Sequence, residues 1–182
     1  FLNNQWGGIM TLLNTTEIMA LIPNRYPIIY IDTVESLVPG EEVVAIKNVT
    51  INEQFMLGYR PDSPQMPNTL MIEALAQTAS ILILKSPEFF GKTAYLGAAK
   101  NVLFHQTVRP GDQIVFTVKL TKKKENMGVV QTNATVNGQM VCEAELTFVV
   151  APRDDLLGKN IDHVDVFEHE VGGGAPRRHV DA

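Results

Sequence analysis

The chain has 182 residues, 45% of them hydrophobic, which suits one globular domain with a substantial core. Its formal net charge of -5 argues against nucleic acid as a partner, because proteins that bind it usually carry a basic face. The single cysteine, Cys142, excludes an intramolecular disulfide and a multi-cysteine zinc site, and predicts a reducing, cytoplasmic location.

The first predicted element is a short helix that follows an N-terminal extension, residues 1–11. Asn14 is a suitable N-cap, and Glu17 stands three positions later, which is the spacing of a capping box. We expect this helix to end near Pro23. The domain should therefore begin at about residue 12.

Two β-branched runs come next, from Ile28 to Val38 and from Glu41 to Thr50. The Pro39-Gly40 pair between them has the chemistry of a tight turn and predicts a hairpin. The following segment, Asn52 to Met66, is expected to be a loop.

A long apolar helix is predicted after this loop. Pro67 suits a first turn, so the helix should begin near Asn68 and reach Lys85. Its apolar part is shorter than the roughly 20 residues of a membrane span and contains Glu73 and Gln77. We therefore expect a buried core helix and no membrane insertion.

The second half of the domain reads as strands joined by turns. The predicted strands are Thr93 to Val108, Gln113 to Lys122, Val129 to Val136 and Gln139 to Val150. Asn137-Gly138 strongly predicts a type I′ hairpin turn, because both central residues need positive φ. One long helix among five or six antiparallel strands predicts an α+β, hot-dog architecture, in which the curved sheet wraps the helix.

Residues 151–182 have little helical or strand periodicity and are expected to form a mobile C-terminal tail. Three of the four histidines, His163, His169 and His179, fall in this tail. Histidines at this spacing are not typical of a metal site, so no metal is expected.

Several segments resemble one enzyme family in the same order along the chain, over about Leu12 to Val150. These segments are Arg25-Tyr26-Pro27, Asp32, Val38-Pro39-Gly40-Glu41, Ala45 to Thr50, Met66-Pro67, Ile72 to Gln77, Val108-Arg109-Pro110-Gly111-Asp112 and Cys142-Glu143-Ala144. They are similar to the 3-hydroxyacyl-acyl carrier protein dehydratases of bacterial fatty acid synthesis. The resemblance implies the hot-dog fold and cytoplasmic residence.

The same resemblance implies a reaction and partners. The expected substrate is a 3-hydroxyacyl thioester on acyl carrier protein, which loses water to give the trans-2-enoyl product without a metal or organic cofactor. The expected assembly is a homodimer that joins two sheets edge to edge, often as a trimer of dimers. Each site would then combine a loop from one subunit with an acid from the other.

The resemblance also implies which residues form the site. The family's catalytic histidine falls on Tyr59, after Gly58, and its catalytic acid falls on Glu73. The glycine whose backbone N–H polarises the thioester carbonyl falls on Asn68, after Met66 and Pro67. These six positions are the predicted catalytic and substrate-binding residues.

Tyr59 suits the work of a base poorly, because an unperturbed tyrosine has a pKa of about 10 and is only about 0.1% phenolate at pH 7. Loss of a positioned general base typically costs about 10² to 10⁴ in rate. Arg60 and Asp62 also depart from the family's usual Phe and Gly. We therefore expect a slow or altered dehydratase.

Two alternatives stay open. Glu73 is either a site acid or part of a solvent-facing stripe with Thr69, Gln77 and Ser80 at helical spacing. At the level of function, the alternative is a non-catalytic hot-dog paralogue that binds acyl chains or assembles with an intact dehydratase subunit.

Overall fold

The computed structural model describes residues 12–152, which form two α-helices and one sheet. In chain order the elements are α1 (Thr15–Leu21), β1 (Thr33–Val38), β2 (Glu42–Asn48), α2 (Asn68–Lys85), β3 (Lys92–Phe104), β4 (Gln113–Lys124), β5 (Met127–Val136) and β6 (Gln139–Pro152). Helix α2 has the predicted bounds, and ten of its 18 residues are buried.

The six strands pair in the order β1-β2-β4-β5-β6-β3, and every pairing is antiparallel. Helix α2 contacts strands from β2 near one end of this order to β3 at the other. One helix can reach all of these strands only if the sheet curves around it. This arrangement confirms the predicted α+β, hot-dog architecture.

Three local signals in the sequence have the predicted structure. Asn14 Oδ1 accepts a hydrogen bond from Glu17 N at 3.1 Å, and Glu17 Oε2 accepts one from Asn14 N at 2.8 Å, which completes the capping box. Asn137 and Gly138 have φ angles of 50° and 76°, as a type I′ turn requires. Gly40, with a φ of 77°, closes the hairpin between β1 and β2.

The strand boundaries differ from the predicted ones. β1 begins at Thr33, five residues after Ile28. In the segment before it, Ile28 O and Tyr30 N form hydrogen bonds with the Gln77 side chain of α2 instead of with a neighbouring strand. β3 ends at Phe104 rather than Val108, and the turn between β4 and β5 is shorter than predicted. β6 continues to Pro152 and pairs with Lys92, so the strand extends into the start of the predicted tail.

The loop predicted from Asn52 to Met66 contains one short 3-10 turn, Gln54–Met56. The remainder of the predicted tail and the N-terminal extension lie outside the described residues. In the part of the chain that the structure covers, no helix is long and apolar enough to cross a bilayer.

Strand β3 stands at one end of the sheet order, and among residues 12–152 its one strand partner is β6. Its apolar side chains Tyr95, Leu96, Leu103 and Phe104 are between 41% and 52% exposed. An unpaired strand edge with exposed apolar residues is an open template for another strand. This edge is therefore the part of the sheet most suited to association.

Two buried groups make the free energy of unfolding depend on pH in the alkaline range. Burial raises the pKa of the Cys142 thiol from an ordinary 9.0 to about 11, and Glu143 adds to this effect. Burial also raises the pKa of Tyr30, with smaller contributions from Glu73 and Glu53. A group whose pKa is higher in the folded state stabilises that state below its unfolded pKa, and this stability is lost as the pH rises.

We expect the free energy of unfolding to fall by roughly 2 kcal/mol between pH 9 and pH 11, because the unfolded thiol ionises first. Urea unfolding of the native chain and of Cys142→Ala, measured across this pH range, checks the prediction. The variant should have a flatter profile and keep only the decline from Tyr30 above its ordinary pKa of 10.0. Parallel profiles would contradict the assignment to Cys142.

Candidate active site

Tyr59 lies on the loop of residues 58–67, between the 3-10 turn and the start of α2. Gly58 has a φ of 70° and Arg60 a φ of 48°, so the loop turns twice through left-handed backbone. Glycine adopts this conformation freely, whereas for an arginine it costs about 1 kcal/mol or more in conformational energy. The loop ends where Met66 N donates to Val108 O at 2.9 Å.

A cleft of about 440 Å³ opens beside this loop. We call it the Tyr59 cleft, and its lining residues are Tyr59, Arg60, Gln65, Pro67, Asn68, Thr69 and Thr107. The Tyr59 side chain is 36% exposed, so it is available to a ligand. The cleft therefore brings together Tyr59 with the predicted substrate-binding residues Pro67 and Asn68.

Asn68 is the first residue of α2, and Pro67 precedes it as the N-cap without a side-chain hydrogen bond. The N–H groups of a helix's first turn have no carbonyl partner within the helix. They point along the helix axis, where the helix dipole favours negative charge. The start of α2 thus offers amide donors to an oxygen atom held in the Tyr59 cleft.

Glu73 lies one turn further along α2 and is held by two side-chain amides. Its Oε1 accepts hydrogen bonds from Gln77 Nε2 at 2.8 Å and from Asn24 Nδ2 at 3.3 Å. Within residues 12–152, no group donates a hydrogen bond to the second oxygen, Oε2. The carboxylate is therefore oriented through one oxygen, and the other keeps its capacity to bind.

Gln77 also ties the helix to the segment before β1. Its Nε2 donates to Ile28 O at 2.7 Å, and its Oε1 accepts from Tyr30 N at 2.8 Å. Gln77 is only 2% exposed, so the alternative of a solvent-facing polar stripe is wrong at this position. Glu73, which contacts Gln77, is half-buried, whereas Thr69 at the start of the stripe is exposed.

A buried ion pair lies on the other side of Tyr30. Lys47 Nζ and Glu53 Oε2 are 2.8 Å apart, and the Lys47 side chain is only 4% exposed. The same nitrogen lies 5.4 Å from the centre of the Tyr30 ring and 6.0 Å from that of Phe55, within range of cation–π attraction. The pair fixes the end of β2 against the start of the loop region.

Sequence reasoning missed the roles of Asn24, Gln77 and this ion pair. One signal for Lys47 was present, because it alternates with the buried residues Val43 and Ala45 of β2 and so shares their inward face. No comparable signal marks Asn24, whose partner Glu73 lies 49 residues away.

The structure does not bring Tyr59 and Glu73 into one site within the chain. Glu73 is absent from the residues that line the Tyr59 cleft, and its Oε1 faces Asn24 and Gln77 instead. Among residues 12–152, no three His, Cys, Asp or Glu side chains are grouped as metal ligands.

Comparison with known proteins identifies the family. A family model described as a FabA-like domain matches residues 22–145. The chain is 61% identical over 145 residues to the 3-hydroxyacyl-acyl-carrier-protein dehydratase FabZ of Pediococcus pentosaceus, a match that covers 80% of this chain and 97% of the relative. It is 53% identical over 148 residues to the FabZ of Levilactobacillus brevis, covering 81% of this chain and all of the relative.

The chain belongs to the FabZ dehydratase family. Solved structures with lower identity share its fold. The dehydratase heterocomplex ApeI:P of Xenorhabdus doucetiae matches with a TM-score of 0.63 at 14% identity, over 76% of this chain and 93% of that one. A hot-dog-like protein of Thermanaerovibrio acidaminovorans matches with a TM-score of 0.53 at 21% identity, over 66% of this chain and 87% of that one.

For this FabZ-type chain, the roles of Gly58, Tyr59, Met66, Asn68 and Glu73 stay predictions. Met66 is buried and closes the loop through its backbone, so its side chain belongs to the core. Gly58 is exposed and supplies a turn.

We expect Gln77→Leu to lower the free energy of unfolding by about 2 to 4 kcal/mol, because it leaves Ile28 O and Tyr30 N without their partner. Asn24→Ala, which removes only the 3.3 Å contact to Glu73, is the matched control and should cost less than about 1 kcal/mol. Urea unfolding of both variants checks the prediction, and equal losses would contradict the bridging role of Gln77.

Proposed function

We propose that this protein is a 3-hydroxyacyl-acyl carrier protein dehydratase of fatty acid biosynthesis, which acts in the cytoplasm without a metal or organic cofactor. Its substrate would be a 3-hydroxyacyl chain held as a thioester on acyl carrier protein. The observation that carries the proposal is the 61% identity, over nearly the full length of the relative, to a protein that bears this name. The single cysteine supports the cytoplasmic location.

The proposed chemistry rests mainly on Glu73. Its carboxylate takes the proton from the carbon next to the thioester carbonyl, and the carboxylic acid so formed gives a proton to the departing β-hydroxyl. A carbon–carbon double bond forms, water leaves and Glu73 is again ionised. Its orientation through Oε1 supports this role, because a positioned acid–base group contributes typically about 10² to 10⁴ in rate.

The thioester oxygen would bind at the start of α2, where Asn68 and Thr69 line the Tyr59 cleft, and their backbone N–H groups would stabilise its developing negative charge. Tyr59 would donate its hydroxyl proton in a hydrogen bond to the substrate. Because a tyrosine is almost entirely protonated at neutral pH, it replaces a general base only poorly. The native chain would therefore be a slow or altered member of its family.

The proposed assembly is a homodimer, alone or as a trimer of dimers. The exposed edge of β3 supports pairing of two sheets. The separation of Glu73 from the Tyr59 cleft within one chain supports a shared site, in which each cleft receives Glu73 from the other subunit.

A second candidate function follows from the same shared site. Glu73 is well held, whereas the residue on the loop is a poor base. A subunit of this kind is suited to pair with a dehydratase subunit that supplies a complete loop. In that case the chain assembles with an intact partner and has little turnover of its own.

We expect Tyr59→His to raise the dehydration rate about 10²-fold or more, because it restores a base with a pKa near the working pH. Adding Glu73→Gln to this variant should remove the gain by a similar factor. The assay is the appearance of the enoyl thioester from a four-carbon 3-hydroxyacyl substrate on acyl carrier protein. Equal rates for the native chain and Tyr59→His would contradict the role of position 59, and retention of activity after Glu73→Gln would contradict that of Glu73.

A mixing experiment tests the shared site. Native chain is co-refolded with the double variant Tyr59→His/Glu73→Gln. A mixed dimer then contains one site with both the introduced base and Glu73, whereas each homodimer lacks one of the two. With equal amounts and random pairing, half of the dimers are mixed and each has one complete site of two, so the mixture should turn over at about a quarter of the rate of the single variant Tyr59→His. A mixture no faster than the average of its components would place both groups of each site in one chain.

A further inference from the structure

The loop that carries Tyr59 has little of its own to hold it in place. Residues 57–62 are all exposed, with Leu57 at 81%, so this part of the loop gains almost nothing from burial, whereas residues 63–65 are half-buried and Met66 is buried. Arg60 adds the cost of a positive φ. Segments with few buried contacts open locally at low free energy unless other interactions hold them.

Besides the backbone bond from Met66 N to Val108 O at the end of the loop, one side chain makes the polar connection between residues 58–65 and the rest of the described chain. Within residues 58–65, the turn is closed by Ser63 N donating to Arg60 O at 2.9 Å. Among residues 12–152, the hydrogen bond from Arg109 Nη1 to Ser63 Oγ, at 2.8 Å, is the one that joins this stretch to another element. The loop is thus attached at its middle by Arg109.

Arg109 is itself on a rigid turn. Its N–H donates to Asp112 Oδ2 at 2.8 Å, and Asp112 N donates back to Arg109 O at 3.0 Å. The turn is fastened to the end of β2, because Gly111 N donates to Val49 O and Val49 N to Asp112 O, both at 2.9 Å. Position and direction of the arginine backbone are therefore fixed by the core.

The same segment forms one wall of the site. Thr107, two residues before Arg109, lines the Tyr59 cleft together with Tyr59 and Asn68. Val108, between them, accepts the hydrogen bond that ends the loop. The hydrogen bond from Arg109 to Ser63 therefore connects this wall of the cleft to the loop. It fixes the distance between the Tyr59 side of the cleft and the start of α2.

We propose that Arg109 is a positioning residue, which holds the loop of residues 58–65 through Ser63 so that Tyr59 faces the start of α2. The effect on turnover rests on the proposed function, whereas the effect on the loop does not. The Asp112 side chain accepts from Arg109 N within the turn, whereas the Arg109 side chain reaches Ser63 in the loop.

Amide hydrogen exchange tests the contact without any substrate. In Arg109→Met and in Ser63→Ala, the amide of residue 63, which donates to Arg60 O in the native chain, should exchange about tenfold faster, because the bond that holds its turn in place is lost. The amides of β4 and β5 should not change. The double variant should be no faster than either single variant, because both remove the same bond. Lys119→Met, which removes a surface ion pair to Glu42, is the control.

Kinetics then separate positioning from a purely structural role. In the Tyr59→His background, Arg109→Met should lower kcat several-fold with little change in KM, and Arg109→Lys should restore part of the loss. Faster loop exchange with unchanged kcat would overturn the positioning role, as would loop exchange equal to that of the native chain. If neither the native chain nor Tyr59→His turns over, the proposed function fails, and the exchange result alone decides whether Arg109 holds the loop.

Discussion

The side-chain amide of Gln77 is the interaction on which the rest of this structure depends. It lies in the middle of α2, almost completely buried, and binds Ile28 O, Tyr30 N and Glu73 Oε1 at once. A side-chain amide can form only a few hydrogen bonds, and here each one fixes a different part of the structure. The segment before β1, the central helix and the candidate acid are thereby held in one arrangement.

This bridge explains where the sequence predicts the fold well and where it does not. Helix α2 was predictable to the residue because its bounds follow from Pro67 and a long apolar run, and the Asn137-Gly138 turn because its φ angles leave few alternatives. The start of β1 was not predictable, because the backbone groups Ile28 O and Tyr30 N form hydrogen bonds with the Gln77 side chain, 49 and 47 residues away along the chain. Sequence periodicity describes neighbours along a strand and contains no information on such distant partners.

The candidate site divides in the same way. Resemblance to the family pointed to Tyr59, Asn68 and Glu73, and the structure places the first two on one cleft and Glu73 away from it. Asn24 and the Lys47–Glu53 pair had no place in the prediction, because their contacts cross between elements. Motifs indicate which residues carry chemistry, whereas the groups that orient them appear only once the chain is folded.

The two parts of the proposed site, Glu73 and the Tyr59 loop, are held in place by different kinds of interaction. Glu73 is half-buried and is fixed by hydrogen bonds, one of them from the buried Gln77, for which loss of a partner is costly. The Tyr59 loop is exposed and depends on the bond between Arg109 and Ser63. Asn68 adds no strain, since it lies in regular helix, whereas Arg60 adopts a φ of 48°. Substitutions in the loop therefore change its chemistry at little cost to the core, which is the physical reason that Tyr59 coexists with an intact fold and a well-held Glu73.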